Sequence, residues 1–207
     1  MKVPKPAVAR LSKLYRFLEE LEKQGIVSIS SSKIAHELGL ESHNIRKDIG
    51  YLGEVGNTGS GYDVIRLKEH ISSNLGFNKE HKACVVGLGR VGSAIMNYDK
   101  FLIRGYRIVA GFDSNINVLE TIKTDIDVYP SYSIQAVVKQ QGIDLAVLTV
   151  PASAAQSVTD RLLEGGIRGI VNFTPGYIKV YDYPVFVSNI DVVGEFDVLT
   201  ALSTLNK

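Results

Sequence analysis

The stretch CVVGLGRVGSAIMNY, Cys84 to Tyr98, does most to narrow the fold, because an apolar run there breaks into glycines at 87, 89 and 92 and then into a helix-like pattern. The spacing G-x-G-x-x-G is weak alone. Its flanks strengthen it: Lys82 to Val86 reads as a short strand, and Ala94, Ile95, Phe101 and Leu102 continue as an apolar helical face. In that order Gly87 allows a tight turn, Gly89 lets a pyrophosphate lie against backbone N–H groups, and Gly92 lets the helix pack close to the strand. The loop Gly87, Leu88, Gly89, Arg90, Val91, Gly92 is therefore a candidate dinucleotide cradle. A second strand, RIVAGFD, ends in Asp113, 21 residues after Gly92, where a carboxylate can accept from the adenine ribose hydroxyls. No arginine in the following DSNINV is placed to receive a 2′-phosphate, so NAD is expected over NADP.

Downstream, IDVYP, IDLAVLTV and RGIVNF read as strands, and SIQAVVKQQG and SAAQSVTDRLLEGG between them read as helices. Such alternation predicts an α/β fold with a parallel, doubly wound sheet. Ligands of these sheets sit at the carboxyl ends of the strands. The strand tails Thr149, Val150, Pro151 and Asn172, Phe173, Thr174 thus become cofactor candidates, with Thr149 and Asn172 able to hydrogen-bond an amide and Val150, Pro151 and Phe173 forming an apolar wall.

Ahead of this region, Val8, Leu11, Leu14, Leu18 and Leu21 recur at helical steps from Pro4 and Pro6 until Gly25. Ser31 or Ser32 can cap a second helix that Gly39 closes, and Ser42 offers a cap to a third. Two short helices joined by a short turn predict a helix-turn-helix. On the third helix Ile45, Ile49 and Leu52 share one face, while His43, Arg46, Lys47 and Gly50 share another whose cations and imidazole suit a DNA major groove. The glycine-rich segment GEVGNTGSGYDV, Gly53 to Val64, reads as a hairpin wing. Candidate DNA contacts are Ser42, His43, Asn44, Arg46, Lys47 and Tyr51, with Asn57, Thr58 and Gly59 in the wing.

The predicted architecture is a winged-helix domain over 1–77, a Rossmann-type NAD(H)-binding domain over 78–190 and a C-terminal helix over 191–207. A net charge of +1 supplies no global attraction to nucleic acid, so any DNA binding must rest on the local basic face. Neither an apolar run of 18 residues nor a signal-peptide core in MKVPKPAVARLSK is present, so a cytoplasmic chain with no membrane partner is expected. Cys84, the single cysteine, reads as core. None of the four histidines, His36, His43, His70 and His81, follows the first Rossmann strand, and no metal-ligand spacing is present. The residues after 190 make a helix and leave no room for a substrate domain. Binding without turnover is expected; the alternatives are an NAD-dependent oxidoreductase with an accessory N-terminal domain and a nucleotide-gated module that meets a membrane partner.

The whole order resembles the redox-sensing transcriptional repressors called Rex. Segments carrying the resemblance include RLSKLYRFLEEL, SSSKIAHELGL, IRKDIGYLGEVG, VVGLGRVGSA, LTVPASAAQSVTDRLLEGGIRGIVNFTP and NIDVVGEF, and it covers essentially the full chain. It implies a homodimer that holds palindromic operator DNA, lets go when NADH binds and so senses the NADH/NAD⁺ ratio. It further implies that the last helix, from about Val192, is domain-swapped onto the partner near the nicotinamide, and that Arg16, Tyr98 and Asp191 couple cofactor state to the DNA domain. One departure stands out: Thr58 occupies the wing position where that family usually carries an arginine, which implies the loss of a backbone or minor-groove contact.

Overall fold

The computed structural model describes residues 3–55 and 61–206. Helix α1, Lys5–Lys23, starts at Pro4 and Pro6, where a missing N–H costs nothing, and buries Ala7, Leu11, Leu14, Leu18 and Leu21 along one stripe. After strand β1, Ser28–Ile29, come helices α2, Ser31–Leu38, and α3, Ser42–Gly50. The cap of α2 is Ser30, whose hydroxyl accepts from the Lys33 N–H at 3.2 Å, rather than Ser31 or Ser32. Ser42 likewise does not cap α3. It is the first helical residue, Glu41 holds the cap position without a side-chain bond, and the Ser42 hydroxyl accepts from Arg46 instead.

Strand β2, Tyr62–Asp63, pairs antiparallel with β1, so the partner of the glycine segment's exit lies upstream at Ser28 and Ile29 and not within a local hairpin. Asn57, Thr58 and Gly59, the proposed wing tip, lie outside the described residues. Asp63 then caps helix α4, Val64–Leu75, which the sequence reading did not identify. Val64, Leu67 and Ile71 of α4 complete a core with the α1 leucines, Ile34, Ile45 and Ile49. Each such side chain contributes about 1.5–3 kcal/mol on burial.

The second part of the chain carries strands β3, His81–Val86, β4, Tyr106–Asp113, β5, Val128–Pro130, β6, Leu145–Leu148, β7, Gly169–Asn172, and β8, Phe186–Asn189. Every pairing is parallel and the order is β5-β4-β3-β6-β7-β8, the order of a doubly wound dinucleotide fold. Alternation sorts β3 between two layers. Cys84 and Val86 face helices α8, Ile134–Gln141, and α9, Ala152–Gly165, while Val85 joins Leu88, Met96 and Val147 on the opposite face. The expected single helix after the glycines is two: α5, Arg90–Met96, and α6, Lys100–Ile103. The Asn97 amide, donating back to the Ser93 carbonyl at the α5 end, helps close the first, and Ala94 and Leu102 are exposed rather than part of an apolar face. A short helix α7, Ile116–Thr121, follows β4, and α10, Val192–Leu205, ends the chain. By contacts the chain forms two compact units, Met1–Lys79 and Glu80–Lys207.

Cys84 is fully buried in β3, and burial pushes its thiol up to about 12. Since the thiolate is the reactive form, Cys84 is expected to resist a thiol reagent such as iodoacetamide at pH 8 in the folded protein and to react only after denaturation. Rapid stoichiometric labelling under native conditions, read by mass spectrometry, would contradict that placement.

Candidate cofactor cleft and nucleic-acid interface

The sheet order reverses between β3 and β6, and the glycine loop leaves β3 at this crevice. Gly87 has φ +91°, and a Cβ there would come within 2.8 Å of the Thr149 carbonyl oxygen. At Gly92 a Cβ would overlap the Gly87 carbonyl oxygen. Around Gly89, by contrast, an added Cβ meets nothing within 4 Å. Two glycines therefore hold the loop tight against β6, and the third leaves open space beside the first turn of α5. Gly89 caps that turn without a side chain, so the N–H groups there retain capacity for an anion. These features fit a dinucleotide pyrophosphate. Arg90 and Val91 are exposed beside the opening, while Leu88 is buried and anchors the loop.

Asp113 ends β4, and its carboxylate accepts the Leu88 N–H at 2.7 Å and the Asn115 N–H at 2.8 Å. It braces the glycine loop. A carboxylate has about four acceptor positions, so two of them remain for ribose hydroxyls.

Beyond the loop, a cleft of about 370 Å³ is lined by residues including Val91, Thr149, Phe173, Thr174, Tyr177, Ile190, Asp191 and Val192. Its walls bring together some of the expected residues and omit others. Val150 and Pro151 do not line it: Val150 packs beside the core and Pro151 precedes α9. The hydrogen-bonding roles foreseen for Thr149 and Asn172 are also taken internally. The Thr149 hydroxyl is shared between the carbonyls of Gly87, at 2.6 Å, and Val86, at 3.0 Å. Asn172, 1% exposed, donates to the Gly176 carbonyl and the Asn189 side chain, both at 2.9 Å, and accepts from the Thr174 N–H and hydroxyl. The sequence shows that these side chains are polar but not that their partners lie within the chain. Tyr177, Asn189 and Ile190, which were not foreseen as cofactor contacts, contribute to the cleft.

Asp191 lines the same cleft and caps α10, its carboxylate accepting the Gly194 N–H at 2.9 Å. Tyr98 lies elsewhere. It is half exposed, meets Phe101 edge to face at 5.8 Å and lines a separate hollow with Asp99, Arg107 and Asp125. Arg16 is exposed on α1 beside Lys13, Glu20 and Glu37. From α10 itself no residue is buried: Val193 is 72%, Phe196 67% and Leu205 81% exposed.

In the N-terminal unit α3 presents His43, Arg46, Lys47 and Gly50 to solvent and turns Ile45 and Ile49 inward. Ser42, Asn44 and Tyr51 are half-buried at the margins of the exposed face. One Arg46 nitrogen reaches the hydroxyls of Ser31, at 3.1 Å, and Ser42, at 3.3 Å, which fixes the stem and leaves other guanidinium donors outward. Asp48, 2% exposed, faces inward and takes a two-pronged contact from Arg10, with Nε at 2.6 Å and Nη2 at 2.8 Å. Those hydrogen bonds raise the Arg10 pKa further. The pair ties α3 to α1 across 38 residues, a separation at which no sequence pattern announces it. Among the described residues no helix is long and apolar enough to cross a membrane, and no group of three or more His, Cys, Asp or Glu could hold a metal.

Comparison with known proteins adds family membership to this geometry. Residues 78–176 match the family model described as CoA binding domain, and residues 2–49 match that described as "Putative DNA-binding protein N-terminus". The redox-sensing transcriptional repressor Rex of Carboxydothermus hydrogenoformans is 37% identical over 199 residues, covering 96% of this chain and 95% of that protein. Redox-sensing transcriptional repressor Rex 1 of Thermotoga maritima is 39% identical over 200 residues, covering 96% and 95%. Among solved structures, RSP in complex with β-NAD⁺ and operator DNA superposes with a TM-score of 0.92 at 29% identity, covering 100% of this chain and 94% of that one. The RSP complex with β-NADH gives 0.87 at 28%, covering 100% and 96%. The match in sequence and fold runs through both units, and the chain belongs to the Rex family of redox-sensing transcriptional repressors.

Proposed function

We propose that this chain is an NADH-responsive repressor that holds operator DNA through residues 1–77 and releases it when NADH occupies residues 78–190. The carrying observation is the full-length likeness to a repressor solved with NAD⁺ and operator DNA together and also with NADH. Both CoA and NAD(H) contain an ADP moiety, which the glycine loop addresses. Within this reading the pyrophosphate lies over Gly87, Gly89 and Gly92 beside Leu88, Arg90 and Val91, the adenine ribose meets Asp113, and the nicotinamide enters the cleft bounded by Thr149, Phe173 and Thr174. Val150, Pro151 and Asn172 shape the approach from behind that surface.

The oxidised nicotinamide is a cation and the reduced ring is neutral. Apolar walls from Phe173, Ile190 and Val192 penalise the cation by desolvation. Asp191 lines the same cleft and attracts the cation, and Ile190 and Val192 are exposed as it is, so the preference for reduced cofactor depends on how far binding closes the cleft. No turnover is assigned to the site; the chain discriminates and does not react.

The reading includes a homodimer. The exposed apolar residues of α10, Val192, Val193, Phe196, Leu199, Leu202 and Leu205 among them, fit residues 191–207 being domain-swapped onto a second copy, which would place two recognition helices on a palindrome. Arg16, Tyr98 and Asp191 are assigned to coupling, and the exposed α3 face, with Asn57, Thr58 and Gly59, to DNA. A cytoplasmic location accompanies the role.

Titration of the operator complex with NADH and with NAD⁺ tests the reading. NADH is expected to release DNA at lower concentration, and equal release by both, or release by neither, refutes redox sensing. Arg46→Ala and Lys47→Ala are each expected to weaken operator binding, and loss of a pure phosphate contact lowers the slope of log affinity against log salt by about 0.9. Unchanged affinity in both variants would remove α3 from the DNA.

A further inference from the structure

Every hydrogen-bonding position of the Asn172 amide is occupied. Its Oδ1 accepts the Thr174 N–H at 3.0 Å and the Thr174 hydroxyl at 2.7 Å, and its Nδ2 donates to the Gly176 carbonyl and to Asn189 Oδ1, both at 2.9 Å. The backbone N–H of Thr174 can only donate, which fixes the orientation of the Asn172 amide and obliges Asn189 to present its oxygen. One more bond runs from the Ile190 N–H to the Asn172 carbonyl at 2.8 Å. On one side, then, Asn172 holds Thr174 and Gly176, which wall the cleft. On the other it holds Asn189 and Ile190, which lead directly into Asp191 and the first turn of α10.

No helix connects β7 to β8, in contrast to the β6–α9–β7 connection, so these side-chain bonds join the two strand ends where the chain between them is irregular. The amide is also nearly inaccessible, at 1% exposure, so it cannot be displaced by a ligand without opening the structure.

From this geometry we infer that Asn172 is a positioning residue that transmits occupancy of the cleft to the start of α10 through its bond to Asn189. The inference rests on the NADH-responsive reading above. A ligand pressing on the Thr174–Gly176 wall moves the amide that both segments share, and Asn189 carries the displacement to Asp191. The link predicts a loss of coupling separable from a loss of binding.

The quantity to measure is the factor by which NADH lowers operator affinity in the full-length protein, alongside the affinity for each ligand alone and the thermal unfolding midpoint. Asn189 is exposed, so substitution there leaves the core intact. Asn189→Leu removes the acceptor and is expected to reduce the coupling factor about tenfold, within the range that such coupling spans; because Asn189 also lines the cleft, NADH affinity without DNA is measured for the variant itself and the coupling factor is taken relative to that value. Asn189→Asp retains an acceptor for Asn172 Nδ2 and should keep the coupling factor within about threefold of wild type. A merely structural bond would instead lower the midpoint and leave the coupling factor of Asn189→Leu unchanged, and that result overturns the inference. Equal loss in the Leu and Asp variants overturns it too, because the acceptor would then be irrelevant. A wild-type factor of one removes the NADH-responsive reading itself, and the link falls with it; this is decided on the unmodified protein before either variant.

Discussion

Gly92→Ala is expected to abolish cofactor binding and destabilise the C-terminal unit. The added Cβ would overlap the Gly87 carbonyl oxygen and lie 2.8 Å from Thr149 Oγ1, and the first of these is backbone at the tightest part of the loop. A flexible side chain could swing away; a carbonyl held between β3 and the glycine turn cannot. Overpacking commonly costs about 1–3 kcal/mol, and a backbone clash belongs at or above the upper end. That cost falls on folding, and cofactor binding is lost because any shift of the Gly87 carbonyl that relieves the clash also distorts the N–H array beside Gly89. Gly89→Ala is the informative partner because its Cβ meets no protein atom within 4 Å. That variant is expected to keep the wild-type unfolding midpoint yet lose NADH affinity, since the methyl occupies the space assigned to the pyrophosphate. Calorimetric unfolding and cofactor titration on both variants give the answer. Wild-type behaviour from Gly92→Ala would refute the close approach of α5 to β3, and wild-type NADH affinity from Gly89→Ala would move the pyrophosphate elsewhere.

Asp48→Ala carries the second large effect. Breaking a buried ion pair by removing one member costs about 3–5 kcal/mol, and because Arg10 keeps 29% of its side chain exposed the lower end applies. Typical stabilities of about 0.05–0.15 kcal/mol per residue make that a large share of what a unit of this size possesses. A drop in unfolding midpoint of at least about 10 °C is expected, with operator binding lost as α3 leaves α1. Arg10→Met with Asp48→Leu removes both charges and should recover most of the stability, since an apolar pair of similar volume often replaces an ion pair without loss. If the double variant is as unstable as Asp48→Ala, the desolvated charge is not the cause.

The readability of this chain follows the range of the interactions involved. The glycine loop was legible because its requirements are local: a turn, an open approach and a close packing, all within six residues, followed by Asp113 at a fixed distance. The stripe of α1 was legible for the same reason. Ser31 and Ser32 read as the caps of α2, and Ser30, of the same residue type and one position upstream, holds that place because the backbone leaving β1 is still extended there. Arg10 and Asp48 are complementary, but charged residues are common and nothing local pairs these two. The internal partners of Asn172 were not legible, because the sequence shows an amide at a strand end without showing that Thr174, Gly176 and Asn189 surround it. Strand β8 escaped notice because Phe186 is exposed at an edge, where the alternation that marks a half-buried strand is lost.

The burial of Cys84 has a bearing on time. This is the chain's only cysteine, and its thiol is shut away in β3 with its ionisation pushed up to about 12. A regulator that registers oxidants through sulfur keeps a covalent record, and a reductant must erase it before the next signal can be read. Here the response has no such record. Within the NADH-responsive reading the signal is set by binding and ends when the dinucleotide leaves, with no cysteine oxidation to reverse.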